Sequence, residues 1–297
     1  MKKYAPMISV ITAGVLWGVI SFFIKALSAA GLDAMQIGFI RLAVAAPVFT
    51  LIIAITDRKK LKIDLRDIWM FAGTGIVSIV LFNICYFYTM IHSQASVAVV
   101  LLYTSPVFIM LLSAVIFKEK ITAVKLFALV MTVAGCTLVA GLSGSSGLTP
   151  LTLATGLASG LFYGLYTIFG RFALKKYDTA TVTVCTFILG LIGSLPISKA
   201  ADTYSKVTSS PKLILLCLGI GIFCTVVPYF LYTLGLSGME SGKAAILVAV
   251  EPMVGAVIGM TFYHESRSPL KLAGILLILG ALVVLNLPTA DKGENYS

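Results

Sequence analysis

Apolar runs of about twenty residues, broken by short clusters of charge, glycine or proline, alternate along the whole chain. A helix rises 1.5 Å per residue, so a run of that length spans the roughly 30 Å hydrocarbon core of a bilayer. Ten such runs stand near 6–28, 34–55, 67–90, 94–117, 122–141, 150–173, 178–198, 211–235, 241–263 and 268–287. They predict an all-α integral membrane protein with ten transmembrane helices. Lys2 and Lys3 before the first run, and Ala26-Leu27-Ser28-Ala29-Ala30 at its end, imitate a signal peptide. That run exceeds the roughly 7–15 residues of a signal core, so it is read as a helix. Ser268 before Pro269 reads as an N-cap followed by a first-turn proline, opening the last span.

Composition narrows the class. Of 297 residues 59% are hydrophobic and 11% charged, and the mean hydropathy is +1.03. Those shares lie far from the half apolar and quarter charged of a soluble globule. Ten spans leave too little polar sequence for a separate catalytic or nucleotide-binding domain.

The net charge of +10 is read by position rather than as a nucleic-acid signal. Lys2, Lys3, Arg58, Lys59, Lys60, Lys62, Arg66, Lys118, Lys120 and Lys125 fall on one side, and Lys25 lies near the other. Both termini are therefore expected in the cytoplasm, with the chain in a plasma (inner) membrane. The second half is balanced, with Arg171, Lys175, Lys176, Lys243 and Lys292 against Lys199, Lys206, Lys212, Arg267 and Lys271, so orientation rests on residues 1–125. Cys85, Cys136, Cys185, Cys217 and Cys224 all sit in apolar runs without metal-ligand spacing and read as small buried hydrophobes.

Sliding the sequence along itself by 146 positions aligns Gly14 with Gly160, Gly18 with Gly164, Lys25 with Arg171, Gly73 with Gly219, Gly75 with Gly221 and Tyr86 with Tyr232. Without a gap, Pro106 then meets Pro252, Glu119 meets Glu265, Lys125 meets Lys271 and Leu126 meets Leu272. The chain divides into residues 1–145 and 146–297, five helices each. Five is odd, so the second copy enters the membrane from the opposite side, and the halves form two inverted five-helix repeats, the architecture of alternating-access carriers.

Ala13-Gly14-Val15-Leu16-Trp17-Gly18, Tyr103-Thr104-Ser105-Pro106-Val107-Phe108 running to Phe117-Lys118-Glu119-Lys120, and Glu251-Pro252 running to Tyr263-His264-Glu265 carry a resemblance. Over nearly its whole length the chain resembles a ten-helix member of the drug/metabolite transporter superfamily with two EamA-type repeats. The resemblance implies a carrier with a central cavity whose relatives move amino acids and other small metabolites, usually outward.

Glu251 lies near the middle of the ninth span, where a carboxylate costs about 2.5–3.5 kcal/mol on insertion scales and should face the bundle interior. It would serve as a proton-coupling group or a counter-charge for a substrate amine, or simply pair with Arg41 or a tyrosine. Arg41, inside the second span, would grip a substrate carboxylate, pair with Glu251, or reach past Asp33 to headgroups. Lys25 and Arg171 end equivalent spans, where snorkelling accounts for them.

Pro106 and Pro252 lie mid-span, each removing a helix hydrogen bond and freeing the carbonyl four residues back, at Leu102 and Val248. They predict symmetry-related kinks that shape or hinge a site, with Tyr103, Ser105 and Glu251 around them. Asn83 and Tyr86 share a face of the third span with Met90, and Tyr229 and Tyr232 repeat the pattern in the eighth. With Tyr163, Tyr166 and Thr167 they would line an aromatic pocket with a few polar handles, or bond between helices without a ligand. Gly14-x-x-x-Gly18 and Gly156-x-x-x-Gly160-x-x-x-Gly164 permit close helix approach, within the chain or at a dimer face.

Gly238-Met239-Glu240-Ser241-Gly242-Lys243 imitates a phosphate loop, yet Ser237 stands where the first glycine is needed and Ala244 where the hydroxyl is needed. No cofactor, metal or nucleic-acid motif appears. His92 and His264 are far apart, so an enzyme is not expected, and one Glu with one Arg at depth does not make the charge ring of a channel. The expected partners are the bilayer, a small-molecule substrate and, as coupling ion, protons; oligomeric state stays open. Two substrates remain: a zwitterionic amino acid between Glu251 and Arg41, or a lipophilic cation held by tyrosines and Glu251.

Overall fold

The computed structural model describes residues 4–93, 95–140, 149–262 and 268–286. Among them every regular element is helical. Nine helices are long and apolar enough to cross a membrane: α1 Ala5–Ala29, α2 Ala34–Thr56, α3 Leu65–His92, α4 Val97–Phe117, α5 Ala123–Ala140, α6 Pro150–Leu174, α7 Thr179–Ile197, α8 Pro211–Ser237 and α9 Ser241–Phe262. The tenth apolar segment, α10 Pro269–Leu285, is shorter. The protein is a multi-pass integral membrane protein.

Local chemistry sets the starts. The Asp33 carboxylate accepts from the Gln36 N–H at 2.9 Å, and the Gln36 side chain accepts from the Asp33 N–H at 3.0 Å, closing a capping box ahead of α2. Thr149 caps α6 in front of Pro150, Asp178 caps α7, and Ser268 Oγ accepts from the Leu270 N–H ahead of α10. A short helix, Ala200–Thr208, connects α7 to α8.

The halves interlock. Helix α1 packs on α8 and α9 of the second half, while α6 packs on α3 and α4 of the first. The glycine spacings make this close approach possible. A methyl group at Gly14 would stand 2.8 Å from the Val248 carbonyl oxygen, and one at Gly160 the same distance from the Leu101 carbonyl oxygen. The small-residue faces are thus used inside the chain, at the seam between halves. Helices α5 and α10 meet through Gly135 and Gly274, again almost backbone to backbone.

Besides a one-residue turn at Val19 in α1, two features depart from continuous helices. First, α4 stops at Tyr103-Thr104 and restarts at Ser105, and α9 stops at Val248-Ala249 and restarts at Val250. The expected kinks at Pro106 and Pro252 are therefore breaks. Each proline sits in the first turn of the restarted segment, where its missing N–H has no helical acceptor to lose. The Val248 carbonyl is not freed: it accepts from the Glu251 N–H at 3.0 Å. Second, α3 winds as a π-helix over Gly73–Leu81 and α8 over Ile222–Val226. The second stretch matches 76–80 of the first under the 146-residue offset. Such widened turns occur at functional sites, and both border the centre of this bundle.

Candidate functional site in the bundle centre

Where the broken helices meet α1, α3, α6 and α8, side chains enclose a central cavity of ≈ 30 Å³, space for one or two waters. Trp17 comes from α1, Ser78 and Ile79 from the π-helical part of α3, and Tyr103, Ser105, Pro106 and Ile109 from α4. Helix α6 supplies Tyr163, Tyr166 and Thr167; α8 supplies Tyr229 and Tyr232; α9 supplies Ala245, Val248, Ala249 and Glu251. Among the lining residues Glu251 alone carries a formal charge.

The Tyr163 hydroxyl donates to Glu251 Oε2 at 3.2 Å. A carboxylate has about four acceptor positions, so capacity remains for a ligand. Tyr166 and Tyr232 bond within the protein, to Thr233 Oγ1 at 2.8 Å and Thr167 Oγ1 at 2.7 Å, and thereby stiffen the wall. Tyr229 is edge-on to Trp17 with ring centroids 5.0 Å apart and to Tyr166 at 5.2 Å. The buried Trp17 indole N–H has no acceptor among the described residues, leaving a donor on the cavity wall.

A groove of ≈ 290 Å³ between α1, α4, α5, α9 and α10 shares Trp17, Tyr103 and Glu251 with the cavity and is bordered by Ser21, Val99, Ala140, Gly255 and Lys271. It leads away from the basic end, where Arg58, Lys60, Lys118 and Lys175 lie. At the basic end polar contacts tie the two halves together. Glu119 accepts from the N–H groups of Ser241 at 2.9 Å and Gly242 at 3.2 Å, Lys125 pairs with Glu240 at 2.6 Å, and Arg171 donates to the carbonyls of Leu236 and Met239. The stretch that imitates a phosphate loop thus has its N–H groups occupied by a carboxylate of the chain itself.

Family comparison agrees with this architecture. The EamA-like transporter family model matches residues 5–141 and again 150–287, two copies covering nearly the whole chain. The chain belongs to the EamA-like transporter family. An Archaeoglobus fulgidus protein described as a transporter is 26% identical over 286 residues, covering 96% of this chain and 99% of its own. Bacillus subtilis YwfM, also described as a transporter, is 23% identical over 294 residues, covering 98% and 97%. The threonine/homoserine exporter RhtA of Escherichia coli is 28% identical over 138 residues, covering 45% of this chain and 43% of RhtA. A solved crystal structure overlays with a TM-score of 0.78 at 16% identity, covering 96% of this chain and 97% of that one. It supports the fold alone.

Within this EamA-family bundle the expected site residues separate into groups. Tyr103, Ser105, Pro106, Tyr163, Tyr166, Tyr229, Tyr232 and Glu251 line the central cavity, and Pro252 borders the groove. Arg41 and Asn83 line a neighbouring small pocket on the far side of Tyr229. Tyr86 stacks on Phe82, whose ring is in turn edge-on to Tyr163. Trp17 and Ser78 are lining residues that the sequence reading did not single out. Trp17 had a signal, since the 146-residue offset pairs it with Tyr163. Tyr263, His264, Glu265, Arg267 and Lys292 lie outside the described residues.

Proposed function

We propose that this EamA-family transporter is a secondary carrier that exports small amine-bearing metabolites, amino acids foremost, across a plasma (inner) membrane by alternating access. The observation that carries the reading is Glu251, a single carboxylate among aromatic rings where the two halves meet. An ammonium group finds there a full opposite charge, ring faces for cation–π contact and little competing water. The unpaired Trp17 N–H offers a donor for a carboxylate on the same substrate. The relative RhtA, a threonine/homoserine exporter, points to the same class.

The halves 1–145 and 146–297 act as the two rocking units, with both termini cytoplasmic. On that orientation the conformation here is closed toward the cytoplasm by the Glu119, Lys125 and Arg171 contacts and leads outward through the groove. A central cavity of ≈ 30 Å³ is then a contracted form that widens when substrate enters. Protons are the proposed coupling ion, exchanged at Glu251.

A second reading, export of lipophilic cations, is favoured by one fact: Arg41 does not line the central cavity. Flux in sealed vesicles under a pH gradient decides between them. A pooled set of amino acids, amines and lipophilic cations is followed by mass spectrometry. Saturable amino-acid movement that loses its pH dependence in Glu251→Gln supports the proposal. Movement of cations alone replaces it with the second reading, and no flux above empty vesicles overturns both.

A further inference from the structure

Arg41 carries a charge that lies outside the lining of the central cavity. It sits about a third of the way along α2, half-buried, and its Nε donates to Thr225 Oγ1 at 3.0 Å. Among the described residues it forms no ion pair. A guanidinium is permanently charged and built for bidentate oxyanion or halide contact, so an unpaired one at membrane depth is expensive and calls for a counter-charge.

Its surroundings are those of a small site rather than of a lipid-facing side chain. Arg41 borders a pocket of ≈ 10 Å³, the space of about one water, together with Gly38, Asn83, Thr225 and Tyr229. Asn83 is buried and brings an amide that can donate, and Tyr229 brings a phenol hydroxyl that its neighbour Arg41 reaches. Thr225 belongs to the π-helical turn of α8. Its hydroxyl donates to the Ile220 carbonyl at 3.1 Å, which turns the oxygen's lone pairs toward Arg41 and fixes the guanidinium. A second small pocket has Gly38, Leu42 and Asn83 in common with the first and is also lined by Met35, Ser194 and Ile197, near the ends of α2 and α7 away from the basic loops.

We propose that Arg41, with Asn83, Thr225 and Tyr229, forms a small-anion site separated from the Glu251 cavity by the ring of Tyr229. Its ligand is a chloride-sized ion or a carboxylate group, held by the guanidinium, the Tyr229 hydroxyl and the Asn83 amide, while Thr225 fixes the guanidinium. With Glu251 on the other face of Tyr229, the bundle centre carries one negative and one positive pole, and occupancy of one changes the field at the other. The site needs neither the amine reading nor a transport cycle to exist.

The test uses the purified full chain in lipid-supplemented detergent, with sodium chloride or sodium formate exchanged for sodium gluconate at constant ionic strength, and thermal midpoint as readout. A ligand that binds only the folded state raises the midpoint saturably. The expected result is a rise of about 3 °C or more with formate, reduced to under about 1 °C in Arg41→Gln and Thr225→Val, and intermediate in Arg41→Lys, which keeps the charge but not the bidentate fork. Glu251→Gln should leave the rise intact, which separates failure of this site from failure of the proposed transport role. A rise with chloride as well identifies a free-anion site; a rise with formate alone identifies a carboxylate subsite. No rise in the parent chain, or an undiminished rise in Arg41→Gln, overturns the proposal.

Discussion

The Nζ of Lys125 lies 2.6 Å from a carboxylate oxygen of Glu240, joining the start of α5 in the first half to the turn before α9 in the second. The Lys125 side chain is 10% exposed, so solvent screens the pair poorly. Beside it, Glu119 bonds the N–H groups of Ser241 and Gly242, placing a negative charge against the positive end of a helix. These contacts cross the seam between halves at the basic end, over the cavity.

On the alternating-access proposal, opening that end breaks them. In a cysteine-free background with Ala245→Cys as reporter on the cavity wall, adding Glu119→Gln or Glu240→Gln should raise labelling from the basic side several-fold. Unchanged labelling in the double variant would show that the contacts are static helix caps. Thermal midpoint, followed in parallel, guards against simple unfolding.

Gly14 and Gly160 should resist enlargement. A Cβ at either glycine meets a carbonyl oxygen of the opposite half at 2.8 Å, closer than real side-chain carbons approach. Gly14→Val and Gly160→Val should each destabilise the folded chain by about 1–3 kcal/mol, the usual cost of overpacking. Denaturation in mixed micelles measures it. Gly31→Ala is a comparison of a different kind, because that position has space but a φ of 84°.

Stability at the opposite end should depend on pH through Asp33. Burial pushes its carboxyl up, but the Gln36 N–H and Lys199, whose Nζ is 3.0 Å away, together hold it below its ordinary value of 3.8. The charged form is thus favoured in the folded chain. Its contribution is full above the ordinary value and is lost as pH falls through the lowered one. Asp33→Asn should melt lower than the parent chain at pH 7, and the gap should close below about pH 3.8. A gap independent of pH would assign the role of Asp33 to shape alone.

Much of this was legible in order along the chain. Helices in lipid must satisfy their backbone internally, so apolar length alone marked the spans, and glycine and proline coincidences marked the repeat. The cavity tyrosines were legible because a phenol within an apolar run needs a partner in the bundle interior. Which wall a residue joins was harder to read. Arg41 and Glu251 both belong inside by cost of burial, but the side of Tyr229 on which each falls depends on the phase of α3 and α8, and π-turns change that phase without any distinctive residue. The breaks in α4 and α9 escaped for a related reason. A mid-run proline reads as a kink until the opposing glycine face of α6 or α1 shows that bare backbone is packed there.

Ser105 and Glu251 occupy equivalent positions, each just before its proline and each on the cavity wall. The backbone therefore has two-fold character while its charge does not. If the halves exchange tilt, helices trade places but the carboxylate stays on α9. A ligand that docks with its ammonium toward α9 keeps that heading throughout, and the cavity has a fixed polarity, like a keyed connector, whichever membrane face it opens to.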